Sequence, residues 1–360
     1  MQITKMNTNL IKAISINLAI LLVFLALILL SPPVIYATYK QFKPARVDDR
    51  ANLEIYQNYD WAEKHFEEFR SLKTTYYDFV VWKRDDFNGE TIQIKDGLRR
   101  TTNDKSLLNT KKNYAFFGGS TMWGTGSSDE FTIPSQFSRI TNFKSYNFGE
   151  TGYSARQSLA SYINFILEAE NVDQGKNITN VVFYGGSVDV AVQCKRNSRN
   201  LSTQREKQIQ RALKTEQKFS YPETFSQVLS LLQKVVNVPS QVTHDCDSNP
   251  TKAKMVARTV VKTWITAQQL AQQNGMDFVA VLEPHGYSNS YAAQYLQLDP
   301  IRAKQYAVIY PLIKQYANDK NINFIDLSNS LSDCDNCFID DLHIGPAGNK
   351  KIAELMSLKI

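Results

Sequence analysis

From Tyr114 onward, short runs of consecutive apolar residues alternate with longer stretches in which apolar positions recur every three or four residues. The short runs read as strands and the longer stretches as amphipathic helices. The pattern predicts strands near 114–118, 145–148, 180–184, 277–282 and 322–326, and helices near 133–141, 154–169, 223–236, 252–274 and 301–318. Such alternation argues for a parallel sheet with helices on both faces, because each parallel connection must cross over the sheet. Ahead of it, residues 40–75 are polar and aromatic, with Tyr56, Tyr59, Trp61, Phe66 and Phe69 spaced as on helix faces, and these read as packing residues. Asp78-Phe-Val-Val-Trp82 and Glu90-Thr-Ile-Gln-Ile-Lys95 then read as two strands, with Asn88-Gly89 as the turn between them.

The N-terminal pattern is different. No charged residue lies between Lys12 and Lys40, and Ala13 to Leu30 is aliphatic apart from Ser15 and Asn17. A bilayer needs about 20 apolar residues, whereas the apolar region of a cleaved signal peptide is about 7–15 long. Ile35-Tyr-Ala37 is a poor cleavage site, so the expectation is an uncleaved membrane anchor over 13–38, after a short tail 1–12, with Pro32-Pro33 marking its exit. Lys5 and Lys12 precede the segment and Lys40, Lys43 and Arg46 follow it, so the positive-inside rule does not orient it. A short tail ahead of a large domain favours export, and four cysteines, an even number, are compatible with an oxidising compartment. The main domain is therefore expected outside the cytoplasm, periplasmic or extracellular.

With 360 residues, 43% hydrophobic and 21% charged, the chain has the composition of a globular protein. The organisation expected is a juxtamembrane helical and β lead-in over 39–110 and a main domain over 111–360. A net charge of +6, from 41 basic and 35 acidic residues with no block of like charge, is that of a solvated surface. No interleaving of basic and aromatic residues suggests nucleic-acid binding. Residues 191–222 and 237–251 are irregular and polar, as lids, binding loops or insertions are.

Candidate chemistry sits just after the predicted strands, where ligands bind in open parallel sheets. Ser120 follows the first, in Tyr114-Ala-Phe-Phe-Gly-Gly-Ser120-Thr-Met-Trp123. A serine hydroxyl needs a base to take its proton, and the base needs an acceptor on its far nitrogen. Asp340-Asp-Leu-His343 fits, because a carboxylate at spacing three folds back in one turn to hold the imidazole; Asp341, at spacing two, points away. Pro346 suits the first turn of the helix that follows. His65 and His244 have no comparable partner. His285, in Leu282-Glu-Pro-His285, is a candidate to line the crevice, with a satisfied rim histidine as the plainer reading. Trp123 is either a pocket wall or core.

Between these ends stand Asn147-Phe-Gly149-Glu-Thr-Gly152 and Val181-Val-Phe-Tyr-Gly-Gly186-Ser187-Val188-Asp189. In this order the four segments resemble the four sequence blocks of the SGNH (GDSL-like) hydrolase family, over roughly residues 111–360. The resemblance implies a three-layer α/β/α flavodoxin-like sandwich with a parallel five-stranded sheet, to which this chain adds its N-terminal transmembrane helix. It also implies Ser120 as nucleophile, His343 as general base then acid, and Asp340 as its orienter. The oxyanion hole would comprise the amides of Ser120 and Gly152 and a third-block asparagine. Two departures stand out. Gly119 occupies the place of the aspartate in Gly-Asp-Ser, and Val188 that of the asparagine. Valine cannot donate, so the Ser187 hydroxyl, a substrate group or a water would have to fill the hole, or the domain has lost hydrolysis and only binds. Asp189 joins Trp123 and His285 as a candidate pocket residue.

Cys334-Asp-Asn-Cys337 reads as a disulfide rather than a zinc site, being short of ligands, and Cys194 with Cys246 as a second candidate pair. The function expected is a serine esterase or deacylase working through an acyl-serine. Its substrate would be an ester-bearing small molecule or, given an anchored position, the O-acyl groups of envelope or exported glycans, with lipid esters next. No metal or organic cofactor is required. An O-acyltransferase and a weakened glycan-binding module are the alternatives on the same fold.

Overall fold

Alternate residues of the predicted strands go to opposite sides of one sheet, as the two-residue period of a strand requires. Ala115, Phe117, Val181, Phe183, Phe278, Ala280 and Leu282 belong to one buried cluster, with residues of the helices Ala155–Glu168, Pro250–Gln273 and Pro300–Asp319. Tyr114, Phe116, Val182, Tyr184, Val279 and Val281 belong to a second, with residues of Ile133–Thr141 and Pro346–Ser357. This produces three layers. The continuous apolar runs are the mark of strands buried on both faces.

The computed structural model describes residues 10–24, 48–102, 109–168, 178–198, 203–206, 208–209 and 243–360. The chain divides into two compact units, residues 1–47 with 207–241, and residues 48–206 with 242–360. In the first unit residues 10–24 are helical, and large apolar side chains from Leu10 to Phe24 are exposed. Among the described residues no helix is long and apolar enough to cross a membrane. Residues 25–38 of the expected anchor and the predicted helix at 223–236 lie outside the described residues.

The second unit carries two sheets. One is a hairpin of β1 (Thr74–Tyr77) and β2 (Val81–Arg84), turned through Phe79 and Val81 at positive φ. The other has eight strands, β3 (Phe87–Asn88), β4 (Gln93–Lys95), β5 (Leu98–Arg99), β6 (Asn109–Gly118), β7 (Phe143–Asn147), β8 (Asn180–Gly185), β9 (Asp277–Leu282) and β10 (Phe324–Asp326), in the order β10-β9-β8-β6-β7-β5-β4-β3. The five parallel strands expected form the run from β10 to β7.

The expectation of a purely parallel, five-stranded sheet is corrected, because β5, β4 and β3 continue it antiparallel from β7. Arg99 pairs with Asn147 and so covers an edge that would otherwise present an unpaired ladder. The expected pairing of 78–82 with 90–95 is corrected too. Val81–Arg84 pairs back onto Thr74–Tyr77, and the turn at Gly89 joins the much shorter Phe87–Asn88 to β4.

Two long helices begin alike, with a capping side chain followed by proline. Asn249 accepts from the Lys252 N–H at 3.1 Å ahead of Pro250, and Asp299 from the Ile301 N–H at 2.8 Å ahead of Pro300. Proline has no N–H to leave unsatisfied in a first turn. Two disulfides form, Cys194–Cys246 and Cys334–Cys337. The first joins the end of the Ser187–Gln193 helix to the approach to Pro250–Gln273 across a sequence separation of 52. A loop of that length implies a contribution of about 4 kcal/mol through the entropy of the unfolded chain. A Cys194→Ser/Cys246→Ser variant is expected to lose stability on that scale in denaturant unfolding, and an unchanged midpoint would exclude it.

Candidate active site

The nucleophile turn is shaped by its neighbours. β6 ends at Gly118, where a Cβ would come within 2.4 Å of the Tyr184 carbonyl oxygen on β8. At Gly119 a Cβ would stand 3.1 Å from both Val188 Cγ2 and the Tyr153 carbonyl oxygen. The two departures from the family pattern thus meet in space, since Val188 packs against the place where an aspartate side chain would begin. Ser120 is the first residue of a single helical turn, Ser120–Trp123, closed by Gly124 at φ 94°. In that position its N–H has no acceptor within the helix.

Ser120, His343 and Asp340 come together. Ser120 Oγ lies 2.7 Å from His343 Nε2, and His343 Nδ1 lies 2.8 and 2.7 Å from the two carboxylate oxygens of Asp340. An ionised carboxylate only accepts, so the proton sits on Nδ1 and leaves Nε2 free to accept from the serine. The loop is folded tightly to allow this: Asp340 Oδ1 accepts from the Leu342 and His343 N–H groups at 2.9 and 2.8 Å, and the Ile339 N–H donates to the His343 carbonyl at 2.9 Å. Burial would raise the Asp340 carboxyl, but the charge of His343 and its hydrogen bonds outweigh that and hold it well below the usual carboxylate range.

Gly152 has φ 81°, a conformation that favours glycine, and a Cβ there would run into the Gln204 side chain. Among the described residues, neither the Ser120 nor the Gly152 N–H is taken by a hydrogen bond. The remaining candidates turn inward. The Ser187 hydroxyl donates to the buried carboxylate of Glu283, which also accepts from the Ser187 N–H at 2.9 Å and from the Thr121 side chain. That commitment corrects the expectation that the Ser187 hydroxyl fills the oxyanion hole. Asp189 is buried, accepts from the Ala155 N–H at 2.9 Å and from Gln193 Nε2 at 2.9 Å, and is pushed up to about 7 by burial, so it ties the start of one helix to the end of its own rather than lining a pocket. His285 is buried against Tyr287, Tyr306 and Tyr310, and its burial lowers it to about 4. Trp123 is core, with Arg84 and Arg99 guanidinium carbons 5.1 and 4.1 Å from its ring centre and Phe69 beside it.

Three arginines before the nucleophile, which no local pattern singles out, each reach a different loop of the site. Arg84 donates through Nε to Glu150 at 3.2 Å and through Nη2 to Thr151 Oγ1 at 2.7 Å, holding the segment that carries Gly152. Arg99, fully buried, donates to the carbonyls of Trp123, Gly124 and Ser127 at 3.1, 2.8 and 2.5 Å and to Asp129 at 3.0 Å, closing the far end of the nucleophile turn. Arg50 reaches Asp340 at 3.1 Å.

No protein-family model matches the sequence, and no curated protein matches it. Solved structures align with part of the chain. A carbohydrate acetylesterase family member from Sinorhizobium meliloti aligns over 69% of this chain and 96% of its own at 15% identity, with a TM-score of 0.38. A GDSL-like lipase from Bacteroides thetaiotaomicron aligns over 69% of this chain and 87% of its own at 12% identity, with a TM-score of 0.37. At such low identity and superposition, function rests on this chain's own side chains.

The Arg84–Glu150 pair is buried, with side chains 8% and 4% exposed. Removing one partner of such a pair costs about 3–5 kcal/mol, because the other charge stays buried alone. Arg84→Met is expected to lose about that much in denaturant unfolding, and Arg84→Met/Glu150→Met to recover most of it. A double variant as unstable as the single one would show that the lost charge pairing is not the cause.

Proposed function

We propose that the chain is a serine ester hydrolase that works through an acyl-serine intermediate. The unbroken contact from Ser120 Oγ through the His343 ring to Asp340, at 2.7 Å on either side of the imidazole, carries this reading. His343 Nε2 takes the Ser120 proton as Oγ attacks the ester carbonyl carbon. The carbonyl π pair moves onto oxygen, where the Ser120 and Gly152 N–H groups stand free to receive the charge. Collapse expels the alkoxide, which takes the proton back from the imidazolium and leaves the acyl on Ser120. Water, deprotonated by His343, attacks the acyl carbon in turn, and Ser120 departs with the proton. Asp340 stays ionised throughout and stabilises the imidazolium. A sugar hydroxyl in place of water would make the same steps an acyl transfer.

The substrate class we propose is the O-acyl groups of envelope or exported glycans, with the domain on the extracytoplasmic side of a membrane and tethered by the apolar segment 13–38. Its support is the uncharged run between Lys12 and Lys40, the exposed apolar side chains of the described helix at 10–24, and two disulfides, which persist in oxidising compartments. A second reading, a glycan-binding module without turnover, is favoured by Val188, which supplies no donor where the family pattern has an asparagine.

Only an activated serine forms a covalent adduct with a fluorophosphonate. The full chain is expected to label, and Ser120→Ala and His343→Ala to lose labelling; a folded wild-type protein that does not label would leave the binding module. The tether is expected to keep the full chain in the membrane pellet through carbonate washing and to release a chain lacking residues 1–39. Full-length protein in the soluble fraction would remove the anchor from the proposal.

A further inference from the structure

Asp340 has one more partner than the triad needs. Its Oδ1 is occupied by the Leu342 and His343 N–H groups, and both oxygens face His343 Nδ1. Oδ2 also accepts from Arg50 Nη1 at 3.1 Å, from a residue 290 positions away in sequence. The rest of the Arg50 guanidinium is occupied by Asp48, which accepts from Nε at 2.9 Å and from Nη2 at 2.8 Å. The guanidinium carbon stands 5.0 and 5.9 Å from the ring centres of Phe66 and Phe69, on a helix (Ala62–Ser71) of the same lead-in. A guanidinium held by a bidentate carboxylate on one edge and aromatic rings beside it has little freedom to leave Asp340.

We propose that Arg50 is a positioning residue for the triad, fixing the plane of the Asp340 carboxylate and sharing the charge with which that carboxylate faces His343. The inference rests on the acyl-serine reading above. A carboxylate that shares its charge with a cation stabilises a facing imidazolium less. Asp48 opposes this, because it offsets part of the Arg50 charge. The other charged groups near the triad are the buried Glu283, whose charge is felt at His343, Arg70 near Asp48, and Asp341, which is paired with Arg302 and Tyr287. They are unchanged in the variants below and drop out of the comparison.

The two lead-in residues therefore act in opposite directions, which a merely structural role would not produce. In the full chain, the rate of fluorophosphonate labelling is followed against pH for wild type, Arg50→Met, Arg50→Lys and Asp48→Asn. Arg50→Met, which keeps the aliphatic stem, is expected to move the acidic limb up by about one pH unit and to slow labelling at neutral pH about tenfold. Arg50→Lys should restore the limb but not the full rate, since an ammonium supplies the charge without the planar fork. Asp48→Asn should move the limb down. If wild type labels at Ser120 and the limb stays put in both Arg50→Met and Asp48→Asn, the inference fails while the hydrolase reading stands. If Arg50→Met does not fold, Asp48→Asn decides by itself, a downward shift supporting the inference and an unmoved or raised limb overturning it. A folded wild type that never labels overturns the hydrolase reading first.

Discussion

A charge withdrawn from water must find a partner where it comes to rest, and the site of this protein is organised by that requirement. Removing an ion from water carries an effective penalty of several kcal/mol, offset only by close and well-directed acceptors. Arg84 and Arg99 are both buried, and their acceptors are the carboxylates, hydroxyl and carbonyls of the loops that bear Gly152 and Ser120. Each guanidinium presents donors in a rigid plane, so satisfying it fixes the positions of several loop atoms at once. Loops that would otherwise have many arrangements are thereby held in one.

The sheet supplies the other half of the arrangement. Parallel strands with strictly alternating side chains bury both faces, so all variation is confined to their ends. Ser120 follows β6, Glu150 and Gly152 follow β7, Ser187 follows β8 and Glu283 follows β9, all at the carboxyl edge. Close packing there dictates the residues between strand and loop. Gly118 lies against the β8 backbone, and Gly119 and Val188 lie against each other, so a change at one of the latter pair is felt at the other.

What was legible in the sequence follows from range. The parallel strands could be read because β6, β8 and β9 carry uninterrupted apolar runs, and Asp340 with His343 because their pairing is made within one turn. The pattern located Ser187, Asp189, His285 and Trp123 near strand ends but carried no information on which way each side chain turns; their partners Glu283, Ala155, Tyr306, Tyr310 and two guanidiniums come from distant elements. The arginines were illegible for the same reason. Nothing within ten positions of Arg50 distinguishes it from a solvated surface residue, and its acceptor on Asp340 lies 290 positions on. The antiparallel extension escaped notice because β3 and β5 are each two residues long, too short for any period to register.

The Cys194–Cys246 bond has a bearing on how this chain can vary. It ties together the two points where the main sheet's helices leave off and resume, across a separation of 52 residues. The chain between them is thereby a closed covalent ring, and the entropy of closing such a ring grows only logarithmically with its length. A single backbone cut within it would leave the two flanks covalently joined.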